Sequence, residues 1–139
     1  MKPSVPAPLV LDTWALLAYL QAEPAGPVVR GALEAARQDG RRVLLSGMSV
    51  GELCYIVERR LGTVAVQDLL SGLEDLGLGI VYPDRATILA AAHVKAHFPI
   101  SFGDAFVVSL AQAEGATVMA GDPDFRKIGR LVPIDWLDT

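Results

Sequence analysis

Short apolar runs alternate along the chain with longer segments of helical periodicity. Five of the runs are nearly continuous in apolar residues, which is typical of strands buried on both faces of a parallel sheet. These predicted strands span residues 8–12, 42–46, 78–82, 116–120 and 131–135. The predicted helices span residues 14–21, 26–38, 50–61, 63–76, 85–97 and 103–114.

The order of these elements predicts the fold class. Glycines placed just after four of the helical segments suit left-handed helix ends; they are Gly40, Gly62, Gly77 and Gly115. The alternation of strands and helices indicates an α/β protein with three layers. We expect a central parallel sheet of four to five strands, with the first strand central and helices on both faces. Residues 8–139 should form a single domain, and the Pro-rich residues 1–7 a loose tail.

Composition, cysteine content and the length of the apolar runs together predict where the protein is located. The chain has 139 residues, of which 52% are hydrophobic, and a mean hydropathy of +0.39, so it can bury one sizeable core. A single cysteine, Cys54, excludes an intramolecular disulfide and fits a reducing compartment. The apolar run 9–20 is interrupted by Asp12 and is too short to span a membrane. We therefore expect a cytoplasmic protein without a membrane segment.

Four carboxylates should meet at one edge of the sheet. Asp12 ends the first predicted strand and Asp122 follows the fourth, while Glu52 and Asp104 lie near the starts of two helices. The carboxyl ends of parallel strands form the edge at which sites are built in open α/β sheets. Asp124 follows Asp122 in the turn and is a further candidate.

Each acid also has a purely structural explanation. Ser49 with Glu52, and Ser101 with Asp104, have the spacing of helix capping boxes. Asp12 can cap the helix that follows it, and residues 121–124 form an ordinary turn sequence. Capping and ligation are compatible, since both place the carboxylate at the same edge.

A divalent cation would account for all of these acids together. Like charges are brought together at a cost unless a cation neutralises them. Carboxylate oxygens are preferred ligands of Mg²⁺ and Mn²⁺. The pattern therefore indicates a metal-dependent site suited to hydrolysis of phosphodiester bonds, with the acids as metal ligands.

Four motifs carry a resemblance to a known family. VLDTWALLAYL, SVGELCYIVERR, SFGDAFVVSLAQ and AGDPDF occur in this order on matching elements. Together they resemble the PIN domain, and in particular the VapC-type toxins of bacterial toxin–antitoxin modules. The resemblance covers residues 8–136. It implies a three-layer PIN-like fold and an acidic catalytic quartet at Asp12, Glu52, Asp104 and Asp122. Asp124 matches an acidic residue of the last motif.

The resemblance also implies an activity and partners. Such proteins are Mg²⁺- or Mn²⁺-dependent endoribonucleases, commonly homodimers, that a small antitoxin protein silences. The chain departs from the family at Trp14, where relatives often carry serine or threonine, and at Ala120, where they often carry threonine. Thr13 precedes Trp14, and its hydroxyl could replace that of the serine or threonine that relatives often carry at position 14.

The net charge of the chain is relevant to whether its substrate is a nucleic acid. A net charge of −4 and a pI near 5.0 disfavour a nucleic-acid binder when taken alone. The four acids account for that whole charge, however, so the remainder is formally neutral. Arg126, Lys127 and Arg130, just after the last acids, are candidates for RNA phosphate contacts, with Thr13 as a further substrate-binding residue.

Two other classes of protein remain as alternatives. The first is a catalytically inactive PIN-fold module that binds or scaffolds a partner, for which Trp14 is the supporting feature. The second is another Mg²⁺-using α/β protein, such as a phosphatase with an aspartyl nucleophile or a receiver domain. The phosphatase would require an acid two residues after Asp12, where Trp14 stands.

Overall fold

The computed structural model describes residues 6–137, which form a five-stranded sheet flanked by helices. The strands are β1 Leu9–Leu11, β2 Val43–Ser46, β3 Gly79–Val81, β4 Thr117–Ala120 and β5 Ile134–Trp136. The helices are α1 Thr13–Leu20, α2 Gly26–Asp39, α3 Gly47–Leu61, α4 Thr63–Asp75, α5 Arg85–His97 and α6 Phe102–Glu114. A short 3₁₀ helix, Pro123–Ile128, lies between β4 and β5.

The sheet has the predicted topology. Its strand order is β3-β2-β1-β4-β5, and every neighbouring pair is parallel. In β1, Leu9 is in register with Val43 of β2 and with Thr117 of β4. The first strand is therefore central, as the order of elements predicts.

Helices cover both faces of the sheet, so the three-layer prediction is also confirmed. Alternate residues of β1 point to opposite faces. Leu9 and Leu11 belong to a buried cluster with residues of α1, α2, α3 and α4. Val10 belongs to a second cluster, which contains residues of α5, α6 and the 3₁₀ helix. The central strand is thus buried on both sides, and its end is held rigidly between two cores.

The two edge strands differ from the prediction. Residues 78–82 and 131–135 are apolar enough to suggest burial on both faces. In the structure β3 and β5 lie at the edges of the sheet and are only partly buried, and Tyr82, just after β3, is 67% exposed. The composition of a strand reports its apolar character but not its position in the sheet, which the chain's crossovers decide.

One helix start was predicted wrongly. Helix α3 begins at Gly47, and its N-cap is Ser46, whose hydroxyl accepts a hydrogen bond from the Met48 amide. Ser49 lies inside the helix and is buried, so it does not cap it. The other predicted caps are confirmed: Asp12 caps α1 and Ser101 caps α6.

The ends of the chain add two observations. Of the predicted tail, residues 1–5 lie outside the described part, and Ala7 accepts a hydrogen bond from Arg41 Nε at 2.6 Å. The division into a tail and a single domain stays a prediction. Among residues 6–137, no helix combines the length and apolar character needed to cross a membrane.

Candidate metal centre

The predicted acids lie at the carboxyl edge of the sheet. Asp12 directly follows β1, and Asp122 follows β4, which is the neighbouring strand. Helices α3 and α6 start at this same edge and pack against each other, bringing in Glu52 and Asp104. Burial raises the pKa of Asp104, and the charges of Asp122, Glu52 and Asp12 raise it further, so Asp104 lies near the other three carboxylates.

Backbone amides hold Asp12 in one orientation. Its Oδ1 accepts from the Ala15 amide at 2.6 Å, while Oδ2 accepts from the amides of Gly121 and Asp122 at 2.9 and 3.3 Å. The side chain is buried, and burial is the main reason that its pKa rises from 3.8 to about 6. These hydrogen bonds connect the end of β1 to the turn after β4, so Asp12 orders the acidic edge.

Two neighbours position Glu52. The Thr13 hydroxyl donates a hydrogen bond to Glu52 Oε1 at 3.1 Å. Gly103 also lies against this carboxylate, and an added Cβ there would stand 2.6 Å from the same oxygen. Burial, followed by the charge of Asp122, raises the pKa of Glu52, while the Thr13 hydrogen bond opposes the rise. Thr13 itself is buried, so its hydroxyl serves Glu52 in this structure.

Three carboxylates form a compact group that could hold a metal ion. Oxygens of Asp104, Asp122 and Asp124 all lie within 4.8 Å of one another. Asp122 caps the 3₁₀ helix by accepting from the Asp124 amide at 2.9 Å. Burial, together with the charges of Asp122 and Glu52, raises the pKa of Asp104 to about 7. Burial and the neighbouring carboxylates thus both disfavour the ionised form of Asp104.

The compact group differs from the predicted quartet in its members. Within the described part of the chain, Asp12 and Glu52 do not join the three oxygens that lie close together. Asp124, which the sequence suggests only as an additional ligand, is one of the three. Three acids thus form the compact group at the carboxyl edge of the sheet, which we call the mouth of the site. Asp12 and Glu52 lie beside this group and are more constrained by hydrogen bonds.

The basic residues after the acids have partners of their own. Lys127 Nζ lies 3.1 Å from Asp124 Oδ1 and within 3.5 Å of the Pro99 carbonyl oxygen. The Arg126 guanidinium lies over the Trp136 ring, 5.4 Å from its centroid. Arg130 is exposed and lines a cavity beside Trp136. Only Lys127 therefore contacts the acidic group directly.

The donor set fits a hard divalent cation. Every candidate ligand atom in the compact group is a carboxylate oxygen, which suits Mg²⁺ or Mn²⁺ better than softer metals. Burial and the charges of neighbouring acids raise the pKa of Asp104, and a cation there would offset those charges. Charge neutralisation would also let a phosphate approach an edge that is otherwise strongly acidic.

Comparison with known proteins identifies the family. The model of the PIN domain matches residues 9–131, which include β1, β4 and all five candidate acids. The chain belongs to the PIN domain family. A search of curated protein sequences finds no significant match.

Solved structures share this PIN fold at low sequence identity. VapBC2 from Rickettsia felis, bound to a promoter DNA fragment, matches with a TM-score of 0.77 at 18% identity, covering 94% of this chain and 98% of that one. VapC20 of Mycobacterium tuberculosis, described as a toxin that cleaves the sarcin–ricin loop, has a TM-score of 0.68 at 18% identity, over 87% and 95%. FitAcB from Neisseria gonorrhoeae has a TM-score of 0.66 at 21% identity, over 91% and 95%.

Three features of the PIN site were not predicted from the sequence. The Gly121 amide bonds Asp12, Gly103 makes room for Glu52, and Trp136 supports Arg126. A glycine directly before Asp104 and another before Asp122 were visible signals. Their meaning depends on which side chains each glycine meets in the fold, and a sequence does not state that.

Proposed function

We propose that this chain is a divalent-metal-dependent endoribonuclease of the VapC type, acting in the cytoplasm as the toxin of a toxin–antitoxin pair. Asp12, Glu52, Asp104 and Asp122 are the catalytic acids, with Asp124 as a further metal ligand. The observation that carries the proposal is the compact group of Asp104, Asp122 and Asp124, in which the pKa of Asp104 rises to about 7.

The protein's own residues have distinct tasks in this proposal. Asp104, Asp122 and Asp124 supply the oxygens that hold Mg²⁺ or Mn²⁺. The bound cation would lower the pKa of water and neutralise charge on the phosphate. Asp12 keeps the turn at Gly121 and Asp122 in place through its three amide hydrogen bonds. Thr13 and Gly103 hold the Glu52 carboxylate toward the mouth.

RNA is the proposed substrate because the acidic mouth is flanked by basic side chains. Arg126, Lys127 and Arg130 follow the last acids within nine residues of Asp122. Lys127 can exchange its contact with Asp124 for an RNA phosphate once a cation neutralises that aspartate. The likeness in fold to VapC20, described as a toxin that cleaves the sarcin–ricin loop, supports RNA as the substrate.

Cleavage assays test the activity directly. The wild-type protein and its Asp12→Asn and Asp104→Asn variants are incubated with single-stranded and structured RNA in Mg²⁺, Mn²⁺ or EDTA. We expect cleavage only by the wild type and only with metal. Equal cleavage by all three proteins would place the activity elsewhere or in a contaminant.

The alternative is an inactive PIN-fold module, and calorimetry distinguishes it. An active site of the proposed kind binds Mn²⁺ in the wild type and loses affinity in Asp104→Asn. If the wild type binds no divalent ion and cleaves no RNA of a broad panel, the inactive module becomes the better explanation.

An antitoxin and a homodimer are the proposed protein partners. The fold matches chains of VapBC and FitAcB structures, which supports the first. Exposed apolar side chains, including Leu61 and Val64 at 65% and 73% exposure, support the second. If a short neighbouring reading frame encodes the antitoxin, co-expression with it should yield a complex that no longer cleaves RNA. Light scattering of the chain alone should give the mass of a dimer. A monomer at micromolar concentration would contradict the second proposal.

A further inference from the structure

A cavity of about 470 Å³ is lined by residues of the 3₁₀ helix, of the segment that follows it and of β5. Its volume falls within the range of about 300–1,000 Å³ that is usual for small-ligand sites. Phe125, Val132, Pro133 and Ile134 contribute apolar parts of a lining that is mixed in character. Three side chains with recognition chemistry complete it, namely Arg126, Arg130 and Trp136.

The geometry of the 3₁₀ helix connects this cavity to the acids. With about three residues per turn, residues three apart share a face. Phe125 and Ile128 form the buried face. Asp124 and Lys127 form a second face, on which Asp124 joins the acidic group. Arg126 lies on the third face, over Trp136. One turn of backbone therefore separates the metal ligands from the cavity.

The two arginines of the cavity are available to an anion. Within residues 6–137, neither Arg126 nor Arg130 forms an ion pair with a carboxylate. A second cavity, of about 610 Å³, is lined in part by four arginines, of which two form ion pairs with carboxylates. There Arg30 pairs with Glu34, and Arg42 pairs with Glu114.

We infer that this cavity holds the nucleotide next to the phosphate that is cut at the acidic group. The inference rests on the proposed function. The base stacks on the planar Arg126 guanidinium, which Trp136 supports from the other side, and Arg130 contacts a backbone phosphate. Single-stranded RNA is recognised by such stacking on aromatic and arginine planes. In duplex RNA the bases are stacked inside the helix, so none is free to stack on Arg126. The inferred substrate is therefore single-stranded.

Binding of a fluorescein-labelled single-stranded RNA tests the inference. The measurement uses the full chain carrying Asp104→Asn, so that binding is separated from cleavage. Arg126→Lys keeps the charge but loses the plane. We expect Arg126→Lys and Arg126→Ala to weaken binding by roughly 5- to 150-fold, the range for loss of one stacked base. Arg130→Ala should lower the slope of log K against log salt by about 0.7, as for one phosphate contact on a single strand.

Matched variants separate recognition from folding. Trp136 packs against the core, so Trp136→Ala is compared with Trp136→Phe, which should keep most of the binding. Helix α3 offers a control pair, because Arg59 lies over the Tyr55 ring at 5.2 Å in the same kind of contact. Arg59→Lys should leave RNA affinity unchanged. A duplex of the same sequence should bind more weakly than the single strand.

The possible results decide between the inference and the function on which it rests. If Arg126→Lys, Arg126→Ala and Arg130→Ala all bind as tightly as their parent, the cavity is not a nucleotide site, although cleavage by the wild type would keep the proposed function. If the wild type cleaves no RNA but binding still depends on Arg126 and Arg130, the cavity binds single-stranded RNA and the proposed catalysis is wrong. An equal loss in Arg59→Lys would mean that the effect is not specific to the cavity, and would overturn the inference.

Discussion

Gly103 and Glu52 lie so close together that a methyl group on the glycine would stand 2.6 Å from the carboxylate oxygen Oε1. Gly103 belongs to α6 and Glu52 to α3, so the glycine lets these helices approach while Glu52 stays at the mouth. The atom that must move is the end of a flexible side chain. Displacement is therefore cheap for the fold but moves a proposed catalytic group.

We expect Gly103→Ala to separate stability from activity. The free energy of unfolding should change by less than about 1 kcal/mol, because alanine favours a helix by a similar amount. RNA cleavage should fall at least tenfold, a loss of about 1.4 kcal/mol in transition-state stabilisation. Gly72→Ala in α4, where an added Cβ meets nothing within 4 Å, is the control and should keep full activity. Full activity in Gly103→Ala would show that the position of Glu52 is not critical.

The metal-free protein should lose stability as pH rises toward neutrality. The pKa values of Asp12 and Asp104 rise to about 6 and about 7, from an ordinary value of 3.8. The folded protein thus binds more protons than the unfolded chain between about pH 4 and 7, and its free energy of unfolding falls across that window. Thermal melts in EDTA from pH 5 to 8 measure this.

Two controls accompany these melts. Asp104→Asn should flatten the pH dependence and raise the melting temperature at pH 8, since it removes a charge from the repelling group. Mn²⁺ should stabilise the wild type most at pH 8, where the ligands are ionised. A melting temperature in EDTA that increases from pH 5 to 7 would contradict the predicted direction.

The Thr13 hydroxyl should affect stability and RNA cleavage through its hydrogen bond to Glu52. Thr13→Val removes the hydrogen bond to Glu52 Oε1 while nearly conserving shape, and should cost about 0.5–1.5 kcal/mol of stability. Cleavage should fall because Glu52 loses its orienting partner, and Thr13→Ser should restore most of it. Cleavage rates at saturating metal provide the measurement. Equal rates for the serine and valine variants would mean that the hydroxyl has no part in the site.

Lys127 should compete with the metal for Asp124. The two side chains are each 46% exposed, so their ion pair should contribute little to stability. Lys127→Ala should tighten Mn²⁺ binding, measured by calorimetry, because a nearby positive charge is removed. It should also weaken RNA binding and reduce its salt dependence. Arg30→Ala, which breaks the exposed pair with Glu34, is the control and should change neither. Unchanged Mn²⁺ affinity in Lys127→Ala would disprove the competition.

The Ser49 hydroxyl should be dispensable. In the described part of the chain, its Oγ is the buried side-chain polar atom without a hydrogen-bond partner. Ser49→Ala should therefore be neutral or stabilising in a denaturant titration, since it removes a buried polar group without a partner. Ser109→Ala is the matched case, because Ser109 Oγ donates to the Phe106 carbonyl at 3.2 Å. It should destabilise by about 1 kcal/mol. A larger loss in Ser49→Ala than in Ser109→Ala would reveal a partner for Ser49.

Much of this protein was determined by the sequence itself. Continuous apolar runs such as 8–12 and 116–120 are typical of strands buried on both faces, and their alternation with helices indicates a parallel sheet. In such a sheet the residue after each strand lies at one edge, so Asp12 and Asp122 were certain to be neighbours once their strands paired. Family membership also follows from motifs that the sequence states in order.

Tertiary structure alone decided the finer arrangement. Exposure of β3 and β5 depends on strand order, which apolar content does not encode. The choice of Ser46 over Ser49 as the cap of α3 depends on where β2 ends and the chain turns. The compact group of Asp104, Asp122 and Asp124, with Glu52 beside it, arises from contacts between distant segments. Carboxylate positions at that scale are set by the packing of whole helices, and short sequence motifs contain no record of that packing.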